Sequence, residues 1–461
     1  MCELNKKTIA NNKPNTLSKY VIIISVIAAI GGLLFGYDTA VIAGAIGSIQ
    51  TIFDLSPALT GWAASSAIWG CMIGVIFSGF LSDKFGRKKV LILSAILFFI
   101  SAVGSSIPNN LTQFVIARLI GGVGVGIASL LSPMYISEIA PAKIRGTLVT
   151  LYQLAIVIGI NLVYYINLQI ASSGDAQWNL DIGWRIMLGS EVIPALLFII
   201  LLFFIPESPR WLASKGKIDS AKAIIEKING QNKSAELLNE IQDSFKEERG
   251  SILVLFTSGL RMAIVVGMFL AFFSQITGIN AIIYYAPEIF KNIGFGADSA
   301  MFQTVIIGTV NTVFTFVAIA FIDKYGRRIL LLWGISGMII CLGGVGLMFH
   351  IELSSGPWLL LFILGFIASF AMSLGPIPWV LISEIFPTKF RGVAMSISIL
   401  MVWIGVVLIT QLTPILLEGI GGAFTFWIFM FNAIILIIFT YNMIPETKGK
   451  TLEEIAKMWK K

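Results

Sequence analysis

The chain has 461 residues, of which 57% are hydrophobic and 12% charged, with a formal net charge of +7 and a mean hydropathy of +0.89. A water-soluble domain carries roughly 25% charged residues, so this composition cannot cover a water-facing surface. Three scattered cysteines (Cys2, Cys71, Cys341) and a single histidine (His350) argue against a disulfide framework, a metal site and a His-dependent catalytic triad.

Residues 1–19 are polar and carry Lys6, Lys7, Lys13 and Lys19, which reads as an N-terminal cytoplasmic tail. The apolar run from Tyr20 to about Gly47 is too long for a signal-peptide core and reads as a first membrane span. Further apolar runs predict spans near 58–81, 90–107, 111–135, 147–171, 184–205, 256–287, 299–322, 329–350, 357–383, 392–416 and 422–444. Each is long enough to cross a hydrocarbon core of roughly 30 Å. Alternate connections hold the basic residues: Lys84 to Lys89, Lys143 with Arg145, eight within 206–250, Lys324 to Arg328, and Lys389 with Arg391. The opposite connections offer only Arg185 and Lys291. By the positive-inside rule, both termini face the cytoplasm of a multi-pass protein of the cell (inner or plasma) membrane. The excess positive charge is then a topology signal, and no nucleic-acid partner is implied.

Segment 206–250 holds eight basic and eight acidic residues, with Ile224, Ile225, Ile228, Leu237, Leu238 and Ile241 at helical spacing. It predicts short amphipathic helices forming an intracellular linker under the bundle. Three pairs of segments recur on either side of it. Asp83-Lys-Phe-Gly-Arg87 returns as Asp323-Lys-Tyr-Gly-Arg327, 240 residues on. Ser137-Glu138-Ile139, with Lys143 and Arg145, returns 246 residues on as Ser383-Glu384-Ile385, with Lys389 and Arg391. Pro206-Glu207-Ser208 returns as Pro445-Glu446-Thr447, 239 residues on. Residues 20–205 and 251–444 therefore read as copies of one six-helix half, followed by a cytoplasmic tail over 445–461. Such halves suit a carrier that rocks one against the other around a midplane site. The repeated acids and bases (Asp83, Arg87, Glu138, Arg145, Asp323, Arg327, Glu384 and Arg391) are expected to pair as an inner gate that parts on opening.

Two charges lie deep in spans: Asp38 in the first and Arg118 in the fourth. Ions in hydrocarbon are costly unless paired or functional. Glycines beside both (Gly31, Gly32, Gly36; Gly121, Gly122, Gly126) let the helices approach. A carboxylate held by a guanidinium keeps its charge and takes a proton when the two separate, so the pair reads as a proton switch. The glycines at 121–126 follow no strand and do not fit a dinucleotide fingerprint.

With Pro206-Glu-Ser-Pro-Arg-Trp-Leu212, Gln275-Ile-Thr-Gly-Ile-Asn280 and Pro445-Glu-Thr-Lys-Gly449 added to the repeated loops, the sequence from Leu33 to Lys450 resembles the sugar porter family of the major facilitator superfamily. The resemblance implies an all-α membrane protein of twelve transmembrane helices in the major facilitator fold, and a proton-coupled monosaccharide (hexose or pentose) symporter. It assigns proton coupling to Asp38 and Arg118, where facilitators carry Asn at the acid position; Glu191 in span six is a candidate to tune the pair. It places sugar contacts at Gln153, Gln275, Asn280, Asn311 and Trp379, with Phe35 as an apolar wall and Tyr284 and Tyr285 as an outer lid. Amides that donate and accept, beside an aromatic face, are what sugar hydroxyls and C–H surfaces require. The break Gly375-Pro-Ile-Pro378 before Trp379 is of the kind that lines carrier sites. Two positions depart from the family pattern: Ser274 replaces an amide before Gln275, and Val402 replaces one before Trp403. No cofactor other than the coupling proton and no metal are expected. The partners are a monosaccharide and the lipid bilayer, around a functional monomer that is not an enzyme. A facilitative uniporter with a structural Asp38, and a non-transporting sugar sensor, stay open as alternatives.

Overall fold

The computed structural model describes residues 19–141, 144–230, 234–239, 241, 261–292, 296–353, 357–386 and 391–448. Among these there is no strand. Twelve spans are long and apolar enough to cross a membrane. Spans one to six are Lys19–Ile52, Pro57–Phe85, Arg87–Ser106, Leu111–Ile139, Leu148–Ala171 and Ala176–Leu202. Spans seven to twelve are Arg261–Lys291, Ser299–Ile322, Arg327–His350, Pro357–Ile382, Ala394–Gly419 and Gly421–Met443.

Local chemistry sets where these helices begin and break. Ser56 caps span two by accepting from the Leu59 amide at 3.4 Å, and Pro57 follows at the first helical position, where its missing N–H costs nothing. Span six starts eight residues before the expected 184. Asp175 caps its first turn through the Trp178 amide, and a π-helical turn over Asn179–Gly183 joins that turn to the apolar body. Span ten is interrupted by turns at Ser373–Pro376, as the two prolines predict. Span seven is also broken, at Thr277–Gly278, a feature that hydropathy did not reveal. Gly278 has φ +92°, and the Phe429 ring occupies the place of a side chain there.

Helix pairing repeats between the halves. Span one packs on five, two on four, three on four and three on six; correspondingly seven packs on eleven, eight on ten, nine on ten and nine on twelve. Across the halves, two meets eleven and five meets eight, with span one against the second segment of seven. These cross-half contacts lie toward the end remote from the basic loops, called here the far end. There Ser65 donates to Gln411 Oε1 at 2.7 Å and Gly61 abuts the Gln411 backbone, while at mid-span Thr312 approaches the Val157 carbonyl at 3.4 Å.

Within the first half, Gly70 and Gly74 of span two lie against the Leu119 and Val123 carbonyls of span four, while Gly122 and Gly126 face the Ala67 and Cys71 carbonyls in return. Two small-xxx-small ridges thus interlock backbone to backbone. Large side chains such as Phe80, Ile193, Phe204 and Ile340 are more than half exposed on the outside of the bundle, as lipid contact requires. The linker has its own small core of Leu212, Ala213, Ala221, Ile225 and Leu238. It is tied to the first half by Trp211 Nε1 donating to the Asp83 carbonyl at 3.0 Å, and by Lys227 lying 4.0 Å over the Tyr20 ring.

Candidate functional site

The first half buries an ion pair. Arg118 Nη1 donates to Asp38 Oδ1 at 2.6 Å and its Nη2 donates to the Asp38 carbonyl at 2.8 Å. Both residues are essentially inaccessible, at 1% and 0% exposed. Glu191, also 1% exposed, lies within electrostatic reach of both. The three groups that the sequence nominated on three different spans are therefore one cluster. Glycines permit it: a Cβ on Gly121 would come 3.5 Å from Asp38 Oδ1 and would strike the Ser101 hydroxyl.

A second set of polar groups surrounds the two broken helices of the second half. Asn280 Nδ2 donates to Gln275 Oε1 at 2.9 Å, and Gln275 Nε2 donates to Ser274 Oγ at 3.1 Å. The break at Gly278 brings residues 275 and 280 together. Ser274, which stands in place of an amide of the family pattern, accepts from the Gln275 amide. Asn311 is buried in span eight; Gln153 and Trp379 are half-buried on spans five and ten, Trp379 just past the break. Phe35 packs against Trp403 with ring centroids 5.4 Å apart, joining span one to span eleven. Trp403 was not nominated from the sequence. It is 2% exposed with no partner for Nε1 among the described residues, a free donor beside the aromatic wall. Only that packing identifies it, since tryptophans recur along the chain. Tyr284 and Tyr285 are both 3% exposed, and Tyr285 donates to the Thr410 carbonyl at 2.9 Å.

The repeated loops form two matching clusters. Arg87 bonds Glu138 at 3.1 Å and Asp83 at 3.2 Å, and Ser208 donates to Glu138. Glu207 accepts from the Arg87 amide at 2.9 Å, at the start of span three. In the second half Arg327 bonds Glu384 at 3.1 Å, Thr447 donates to Glu384 at 2.6 Å, and Glu446 accepts from the Arg327 and Arg328 amides. Gly86 (φ +99°) and Gly326 (φ +92°) make the turns, and the Glu207 and Glu446 carboxylates fill the space where a side chain would be. These pairs were expected to form an inner gate that parts on opening. Each described pair lies inside one half, clamping its helix ends to the segment after its sixth span. The side chains of Arg145, Asp323 and Arg391 lie outside the described residues.

Burial pushes the Glu207 carboxyl above its ordinary value, against the Ser208, Lys88 and Arg87 amides that pull it down. A raised carboxyl contributes stability that is fully present below the unfolded value and lost as pH rises through the folded one. The first-half clamp is thus expected to weaken as pH rises from roughly 4, the unfolded carboxylate value. Glu207→Gln keeps an acceptor and flattens that dependence, whereas Glu207→Ala strands the Arg87, Lys88 and Ser208 amides. Thermal unfolding of the three proteins across pH checks the order, and an unchanged slope in Glu207→Gln counts against it.

Six-helix halves that pair alike and meet around broken helices form the architecture of secondary carriers. The family model described as sugar (and other) transporter matches residues 24–459, and the chain belongs to that family. It is 46% identical to the arabinose–proton symporter of Bacillus subtilis over 95% of each chain, and 43% identical to the D-xylose–proton symporter of Escherichia coli over 96% of each. Among solved structures, the xylose transporter of E. coli in a partially occluded inward-open conformation superposes with a TM-score of 0.85 at 42% identity, covering 94% of this chain and 100% of that one.

Proposed function

We propose that the chain is a proton-coupled monosaccharide symporter working by alternating access, with Asp38 as the proton carrier. The buried Asp38–Arg118 bridge, with Glu191 beside it, is the observation that carries this reading. One guanidinium and two carboxyls in a pocket closed to bulk solvent balance only when one carboxyl holds a proton; moving Arg118 away from Asp38 leaves room for a second. Such a group binds or releases a proton according to how the helices are placed, which is what coupling requires. The relatives named as proton symporters support the same reading.

The sugar is proposed to bind between the halves, against Gln153, Gln275, Asn280, Asn311 and Trp379, with Phe35 and Trp403 as a wall and Tyr284 and Tyr285 closing the far end. Residues 20–205 and 251–444 act as the rocking bodies, joined by 206–250. The basic loops and both termini face the cytoplasm, and the protein acts as a monomer in the cell membrane. The repeated acids and bases serve as an inner gate by stiffening each half, so that the end of every half moves as a unit.

Purified protein in proteoliposomes should alkalinise the outside when xylose, arabinose, galactose or glucose is added, and the sugar giving the largest signal is the substrate. Sugar uptake with no proton movement would point to a facilitator. Absence of counterflow for every sugar would point to a sensor.

A further inference from the structure

Serines inside the spans of this protein follow a rule. Ser66, Ser78, Ser274 and Ser398 each donate to the carbonyl three or four residues back, at 2.7 to 3.0 Å, as hydroxyls in apolar helices do. Ser101 and Ser105 depart from it, as do Ser25 and Ser132 on other faces. Ser101 and Ser105 are buried, at 0% and 1% exposed, and neither hydroxyl has a partner among the described residues. Four residues apart on span three, they sit one turn from each other on the same face. The same half holds Arg118 Nε and Trp184 Nε1, buried polar atoms likewise without a partner, and the Asp38 and Glu191 carboxyls, which lie close enough to share a hydrogen bond. Trp184 and Glu191 share a face of span six, seven residues apart, and the Trp184 segment packs on both spans one and three.

Each buried polar atom left without a hydrogen bond costs about 1–3 kcal/mol. Ser101, Ser105, Arg118 Nε and Trp184 Nε1 together need small ligands that both donate and accept. Water is the ligand of that chemistry, given two to four polar partners and room. Gly121 brings Ser101 and Asp38 together: only without a side chain there can the Ser101 hydroxyl lie against span four on the side of Asp38. At the far end these groups reach Arg185, which is half-buried and donates to the Ser106 and Pro108 carbonyls.

We propose that a chain of waters runs through the interior of the first half, from Trp184 past Ser105 and Ser101 to Asp38, Arg118 and Glu191, and delivers the coupling proton from the far end. Protons would thereby reach Asp38 by hopping along hydrogen bonds, separately from the sugar path between the halves. No bond other than O–H is made or broken. The proposal rests on Asp38 being the proton carrier, so the test has two independent arms.

The first arm is radiolytic hydroxyl-radical footprinting of the full chain in nanodiscs, read by mass spectrometry. Trp184, 0% exposed, should be oxidised well above Phe366 and Phe426, which are equally buried in apolar packing, after normalisation to the unfolded chain. A protected Trp184 overturns the lane. The second arm compares Ser101→Val/Ser105→Val with Ser101→Thr/Ser105→Thr, pairs of equal shape that differ in the hydroxyls. The valine pair should lose about tenfold in the rate of proton-driven uptake, roughly 1.4 kcal/mol of barrier, with counterflow preserved, and the threonine pair should recover it. Equal uptake by both pairs overturns the proton role of the lane. Should the unaltered protein move no protons at all, the symport reading fails, while an oxidised Trp184 still supports the waters.

Discussion

Asp38→Asn is expected to abolish uphill accumulation of sugar and to leave counterflow running. One proton moved through a potential of 100 mV supplies about 2.3 kcal/mol, which sustains roughly 50-fold accumulation of a neutral sugar. An asparagine neither takes nor releases a proton, so the ratio falls to about one when the driving force for protons is lost. The bridge geometry explains why the variant should still fold. The asparagine oxygen can accept from Arg118 Nη1, the backbone carbonyl at 38 still accepts from Nη2, and Glu191 remains near enough to balance the guanidinium. Removing that last counter-charge as well, in Asp38→Asn/Glu191→Gln, leaves a bare buried cation. Stripping the partner from a buried ion costs about 3–5 kcal/mol, and the double variant should be recovered in much lower yield. Radiolabelled sugar uptake with and without a protonophore, beside counterflow, measures both effects. Undiminished accumulation by Asp38→Asn would remove Asp38 from the coupling mechanism.

Gly122→Val should nearly eliminate folded protein. A Cβ at 122 would overlap the Ala67 carbonyl, and that group belongs to a helix backbone with nowhere to rotate. Overpacking a core typically costs about 1–3 kcal/mol, and a clash between two helix backbones lies at or above the top of that range. The consequence reaches function because Arg118 lies one turn from Gly122 on the same helix. Any separation of spans two and four shifts the guanidinium relative to Asp38. Gly79→Val, by contrast, meets nothing within 4 Å and should express normally. Size-exclusion profiles in detergent compare the two; a monodisperse Gly122→Val peak at normal yield would rule out the interlocked ridge as a determinant of assembly.

The architecture was legible because it rests on counts and periods. Apolar runs must exceed a bilayer's thickness, basic residues mark alternate loops, and three pairs of segments recur about 240 residues apart. The nomination of Asp38 and Arg118 was equally local, since any ion within hydrocarbon demands an explanation. That the two would touch, and that Glu191 would join them, depended on three helices crossing at one depth. The glycines permit that crossing without specifying it.

The loop acids and bases show the other side. Their repetition revealed that they matter, but whether Arg87 reaches across to the other half or back to Glu138 depends on where three helix ends converge. The structure turns each cluster inward, with Gly86 and Gly326 leaving space for the carboxylates that hold it. The break in span seven, the Trp403 ring against Phe35 and the unpartnered Ser101 and Ser105 were likewise invisible to periodicity. A hydropathy window averages over a two-residue turn, and a serine reads the same whether its hydroxyl bonds its own helix or faces a seam. Sequence alone determined a membrane carrier built of two copies and the residues that cannot be idle in lipid. Tertiary structure decided which of them meet, because contacts between helices 80 residues apart follow from packing angles that no single segment encodes.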